Sequence, residues 1–287
     1  MIGTASATRS CTTAIKTGDG IRLHYNQTGP ETGQQILFIT GWRQAAAEWR
    51  KQADYFSSAG FRVTTYDMRG HGDSEEPEFG YRMSRFAADL NDLLKKLDLK
   101  DVTIIGHSMG SSVIWAWWDQ YPQTHHRISH LVLVDQTAVI VADPHWSPEL
   151  TTEVGAIFSP DAIFDLANDM ANQLEPLVKG MFTPAVSDSD LEWILAQNRK
   201  MSDAHSASLF IDHALADWRD VLPRITVPSL VLGGEVSVFP AKAIAWIATQ
   251  IPGAESYTFT AAEKGSHFVF WENPERFNSV VEAFITK

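Results

Sequence analysis

Five short runs of β-favouring residues recur along this chain with little polar alternation, and most are separated by a longer stretch with helical spacing. They are Gln35–Thr40, Phe61–Tyr66, Val102–Gly106, Ile128–Val134 and Ser229–Gly233. A strand without alternation is buried on both faces, and strands that alternate with helices form a parallel sheet with helices on either side. Trp49–Ser58, Tyr81–Leu97 and Met109–Tyr121 supply the helices. Ser84, Phe86, Leu90, Leu93, Leu94 and Leu97 mark the stripe of the second. Thr12–Lys16 and Ile21–Asn26 alternate more and are joined by Thr17-Gly18-Asp19-Gly20, a hairpin signal. The expected class is α/β, a mostly parallel sheet flanked by helices.

The rhythm breaks after Val141. From Asp143 to about Asp220 the chain is helical in character and punctuated by Pro144, Pro148, Pro160, Pro176 and Pro184, and strand rhythm resumes at Val227. Residues 1–142 and 221–287 therefore read as one core domain, and 143–220 as a helical insertion. Ligands bind at the carboxyl edge of parallel sheets, so an insertion leaving that edge is expected to be a lid over a site. No internal repeat is visible.

The sharpest chemical signal is Gly106-His107-Ser108-Met109-Gly110, which follows the run VTII and opens the helix-like run SSVIWAWW. A tight strand-to-helix turn lifts a serine hydroxyl above the sheet, and flanking glycines let backbones pass closely. The helix amino terminus favours negative charge there. Ser108 is thus the candidate nucleophile. A hydroxyl needs a base, and His267 lies in a loop after Ser256–Thr260, before an amphipathic terminal helix. That loop returns to the carboxyl edge, level with Ser108. His107 is expected to point away from the hydroxyl, His71 to serve its turn, and His125, His126 and His130 to form a solvated helix end rather than a metal site. Trp115 and Trp118 read as packing against the sheet. Trp146, Trp193 and Trp218 belong to the insertion, where one or two can line an apolar pocket. Met170, Met181 and Met201 read as packing within it.

With these residues assembled, the chain resembles the α/β-hydrolase superfamily over nearly its whole length. The resemblance rests on Gly106–Gly110, the Thr40-Gly41-Trp42 turn, the stretch Asp67-Met68-Arg69-Gly70-His71-Gly72-Asp73-Ser74, and Gly265-Ser266-His267. Most of that family places the acid of its triad after the strand that follows the lid, in a pattern like G-x-x-D. Here that stretch is Gly233-Gly234-Glu235-Val236-Ser237-Val238-Phe239-Pro240, without an aspartate. Two carboxylates remain open. Asp135 ends the run LVLVD, where some relatives such as N-formylmaleamate deformylases and cofactor-free quinolone dioxygenases place their acid, and is preferred. Glu235 lies near the usual position in a shifted register. Asp67, Asp73 and Glu75 read as turn and ion-pair residues. The family pattern draws the two oxyanion donors from the backbone N–H groups of Met109 and Trp42. Thr40 stands where the family usually has His.

Composition narrows the partners. The chain of 287 residues has a net charge of −12, which disfavours polyanionic nucleic acid and anionic membrane surfaces. Its one cysteine, Cys11, can form neither an internal disulfide nor a zinc cluster. The opening residues Met1–Gly20 lack the apolar run of a secretory signal, and no stretch reaches the roughly 18 apolar residues of a membrane span. A cytoplasmic enzyme is the expectation. It would act on a small molecule with an apolar or aromatic body and need no metal or organic cofactor. The leading reading is a serine hydrolase of a carboxylic ester or lactone, with Ser108, His267 and Asp135 as triad. The alternative is a cofactor-independent dioxygenase opening a 3-hydroxy-4-quinolone-like ring with a His–Asp base. Those enzymes often carry a second histidine after the serine, where this chain has Met109.

Overall fold

The computed structural model describes residues 11–287, with side chains from Thr13 onward. The expectation about a leader in the first ten residues and the side chain of Cys11 lie outside the described residues. Among the described residues, one sheet of eight strands carries the fold: β1 (Cys11–Lys16), β2 (Arg22–Thr28), β3 (Gln35–Ile39), β4 (Arg62–Tyr66), β5 (Val102–His107), β6 (Ile128–Val134), β7 (Ser229–Gly234) and β8 (Glu255–Phe259). Their order across the sheet is β1-β2-β4-β3-β5-β6-β7-β8. β1 pairs antiparallel with β2, and β2 with β4, while every later pairing is parallel. The alternating amino-terminal segments form the hairpin, and the unalternating runs form the parallel portion.

Among the described residues, eleven α-helices accompany the strands: α1 (Arg50–Ser58), α2 (Met83–Lys96), α3 (Met109–Gln120), α4 (Pro148–Val154), α5 (Pro160–Asn168), α6 (Met170–Gly180), α7 (Asp188–Asn198), α8 (Asp203–Ala214), α9 (Ala241–Gln250), α10 (Val269–Glu272) and α11 (Pro274–Ile285). Successive residues of a strand point to opposite faces, which explains why the central strands are apolar throughout. Leu37, Ile39, Ile104, Leu131 and Leu133 join one core with the apolar faces of α2, α3 and α9. Ile36, Phe38, Ile105, Val132 and Val134 join a second with α1 and α11. Ser84, placed on the α2 stripe by spacing, is exposed, and Met83 is buried beside Phe86 and Leu90 instead. Trp115 and Trp118 are buried in the α3 layer. Helices α4–α8 occupy the segment between β6 and β7. A short bridge between Val139 and Asp217 ties the two ends of that segment together, and a second, Val141–Phe158, lies within its beginning. Among the described residues, no helix is long and apolar enough to cross a membrane.

Candidate active site

Trp42, Ser108, Asp135 and His267 follow the carboxyl ends of β3, β5, β6 and β8. β5 passes into α3 through Ser108, which holds φ 53° and ψ −127°. That left-handed conformation is costly for a residue with a side chain and persists where surrounding packing enforces it. The Ser108 N–H donates to the Val134 carbonyl (2.8 Å), fixing the bend against β6. The two motif glycines serve close approach. A Cβ on Gly106 would meet the Gly110 carbonyl carbon at 2.8 Å, and one on Gly110 would meet the Ile39 and Thr40 carbonyl oxygens at 2.7 Å.

After β6, Asp135 takes φ 50° and its carboxylate is fully buried. The His267 Nδ1–H donates to Asp135 Oδ2 at 2.6 Å. The Gly234 N–H donates to Oδ1 (3.2 Å), and the Ser237 hydroxyl donates to Oδ2. A buried carboxylate is tolerated when donors saturate it in this way. Glu235, the other acid considered, is exposed and accepts from the Ala261 N–H (2.7 Å), away from the histidine. Of the two acids, the structure therefore brings Asp135 to His267 and not Glu235. Ser237 was missed in the sequence because its role depends on the path of the loop after β7.

Ser108 and His267 line one cavity of about 120 Å³ with Trp42, Gln136, Ile140, Phe158, Met181, Phe210 and Phe239 among its walls. They also border a smaller hollow of about 20 Å³. No hydrogen bond joins the Ser108 hydroxyl to His267; such bonds commonly tighten only with substrate bound. The Gly41–Trp42 turn runs directly beside the serine, since a Cβ on Gly41 would lie 3.0 Å from Ser108 Cβ. The Trp42 N–H and the Met109 N–H have no backbone acceptor among the described residues. Trp42 is held from the other side, its Nε1–H donating to the Ser206 carbonyl of α8 (2.9 Å).

His107 lies beneath this apparatus. It is fully buried, its Nε2 is 2.8 Å from the His267 carbonyl oxygen and its Nδ1 2.9 Å from Gln44 Oε1. Burial, helped by the neighbouring His267, pushes its pKa well below the usual histidine range. It thus buttresses the backbone of His267 as a neutral ring. His71 sits in its turn with Nδ1 2.9 Å from the Arg69 carbonyl oxygen, accepts from the N–H of Arg43 in the turn after β3 (3.0 Å), and is lowered by burial to about 4. His125 stacks on Trp118 at 3.8 Å rather than joining a ligand set.

Two expectations for the insertion are corrected. Trp146, Trp193 and Trp218 are not among the cavity residues. Trp193 stacks on Trp271 at 5.1 Å with Arg50 over its ring, and Trp146 carries Arg219 at 4.3 Å. The aromatic lining comes from Trp42, Phe158, Phe210 and Phe239 instead. Met181, read as internal packing, borders both hollows. Spacing identifies aromatic residues on a helix but not which face the tertiary packing turns toward a cavity.

Among the described residues, His24, Asp67 and Asp73 form the group with metal-compatible spacing. Its members already serve the turn after β4. Asp67 accepts from the Ala46 N–H (2.7 Å) and the Asp73 N–H (3.1 Å), and Asp73 pairs with Lys200 at 3.0 Å.

A family model described as alpha/beta hydrolase fold matches residues 35–274. A non-heme chloroperoxidase of Streptomyces lividans is 30% identical over 228 residues, covering 77% of this chain and 80% of its own length. A bifunctional esterase/perhydrolase of Acinetobacter calcoaceticus is 26% identical over 236 residues, with 77% of this chain and 80% of its own covered. Among solved structures, a bromoperoxidase from Bacillus anthracis superposes with a TM-score of 0.87 at 23% identity, covering 96% of this chain and 100% of that one. The last likeness is one of fold.

Proposed function

Because this chain belongs to the alpha/beta hydrolase fold family, we propose that it is a serine hydrolase cleaving a small carboxylic ester or lactone through an acyl-enzyme. The observation that carries the reading is the His267–Asp135 pair, 2.6 Å apart, beside an apolar cavity that it shares with a serine on a strained elbow. In this reading, Ser108 Oγ attacks the carbonyl carbon while His267 Nε2 takes its proton. The N–H groups of Trp42 and Met109 hold the oxyanion as it forms. Collapse of the tetrahedral species expels the alcohol, which receives its proton from His267. Water, deprotonated by the same imidazole, then releases the acid and restores the serine. Asp135 keeps His267 in the tautomer with Nε2 unprotonated and stabilises the imidazolium.

Residues 143–220 serve in this account as a cap. Phe158 and Phe210 give the cavity an apolar roof, so the reacting carbonyl meets little bulk water. A hollow of about 120 Å³ holds on the order of ten water-sized groups, which suits a small apolar or aromatic body.

The relatives' names favour a second reading of the same site. Where hydrogen peroxide replaces water in the second half-reaction, the acyl group leaves as a peracid, which oxidises halide in solution. Turnover of an ester and lactone panel by purified protein, with and without peroxide, separates hydrolysis from perhydrolysis. Loss of turnover by at least about a thousandfold in Ser108→Ala is the expected result. If Ser108→Ala stays active while His267→Ala is dead and oxygen is consumed, the ring-opening dioxygenase replaces both.

A further inference from the structure

Buried polar groups in native proteins are almost always paired, and an exception asks what pairs it in function. The cavity beside Ser108 has two such exceptions, neither used in the chemistry above. Gln136, 3% exposed, donates from Nε2 to the Thr137 carbonyl (2.9 Å), which leaves its Oε1 buried without a partner. His213 on α8, 4% exposed, keeps its Nδ1 buried and unpaired. Burial alone moves this imidazole, down to about 3, so it is neutral across the physiological range. The remaining walls are mostly aliphatic and aromatic, including Ile140, Ile157, Leu177 and Val238.

Resting on the hydrolase reading of this site, we propose that Gln136 and His213 determine its specificity, and that the substrate is a small ester or lactone whose apolar body carries a hydrogen-bond donor, a hydroxyl or an amide N–H. The donor requirement follows from Gln136, whose unpaired carboxamide oxygen can only accept; the neutral imidazole of His213 can accept from such a donor at its unprotonated nitrogen. A donor-bearing substrate pairs groups that a plain hydrocarbon leaves stranded, and sites of this kind discriminate strongly against the analogue lacking the group.

The test compares kcat/KM for methyl phenylacetate with its ring-hydroxylated and α-hydroxylated forms in the wild type, Gln136→Leu and His213→Phe. The wild type should favour at least one hydroxylated form by tenfold or more, and in each variant that ratio should fall toward one. A wild type indifferent to the hydroxyl overturns the proposal, as does a ratio that neither variant moves. Calorimetric titration of the same proteins with 2-phenylethanol and ethylbenzene reads the pocket without an ester bond. Tighter binding of the alcohol in the wild type, lost in both variants, upholds the donor requirement even if no ester is turned over; in that event the hydrolase reading is what fails. Turnover with no hydroxyl preference in either experiment sinks this inference alone. If one variant does not fold, the wild-type ratio and the other variant still decide.

Discussion

Asp135 combines a left-handed backbone with a fully buried carboxylate, and donors from His267, Gly234 and Ser237 converge on it. In the proposed mechanism, replacing it with asparagine keeps the shape but offers His267 an amide, which would no longer enforce the tautomer or stabilise the imidazolium. Asp135→Asn should lower kcat about ten-thousandfold with little change in KM. Glu235→Gln, altering an exposed side chain that caps the Ala261 N–H, should stay within about threefold of the wild type. Steady-state kinetics on one ester decides between them, and the reverse pattern would return the role to Glu235. That Asp135 would meet His267 was legible because Asp135 ends the run LVLVD, where some relatives of this fold place their acid. Ser237 and His213 were not legible: a lone serine or histidine carries no signal until a loop or helix face sets what it meets.

At the level of elements, the elbow and the turn after β3 are held by different forces. The elbow depends on the absence of side chains, since α3 begins where Gly110 lies against the end of β3. Gly110→Ala must displace that backbone and should cost about 1–3 kcal/mol, measured as a lowered denaturation midpoint; unchanged stability would refute the close-packing account. The turn depends on Arg43, a buried residue at φ 60°. Its guanidinium donates to the Asn198 carbonyl (3.0 Å), the Met201 carbonyl (2.7 Å), Ser206 Oγ (2.9 Å) and Asp203 (2.7 Å). The turn that holds the neighbouring oxyanion candidate is thereby fastened to α7 and α8. Arg43→Met strands those acceptors and should cost about 3 kcal/mol and lower kcat more than it raises KM. A stability loss with unaltered kcat would make Arg43 a structural pin only. The central strands and their helices were readable because burial on both faces leaves an unbroken apolar run. The arrangement of α4–α8 was not, because the faces of these short helices are assigned by mutual packing rather than by a periodicity of their own.

For the molecule as a whole, three buried histidines contribute to the loss of stability in acid. His71 and His213 are pushed down to about 4 and about 3, and His107 well below its usual range, in each case chiefly by burial. The unfolded chain protonates these rings near 6.5, whereas the folded protein does so only at lower pH. Stability is therefore fully present above about pH 6.5 and lost as pH falls toward the folded values, by about 1.4 kcal/mol per pH unit for each ring. Denaturant midpoints at pH 7 and pH 5 should differ accordingly, with a shallower dependence in His213→Phe; an identical slope would contradict the burial argument. The sheet edge gathers what these scales supply: a serine from β5, an acid from β6, a histidine beyond β8 and cavity walls from the segment between β6 and β7. Treatment with a fluorophosphonate followed by peptide mass spectrometry tests their joint action most directly. The account predicts one adduct, on Ser108, formed far more slowly in His267→Ala. An unmodified Ser108, or an adduct that forms as fast without the imidazole, would contradict it.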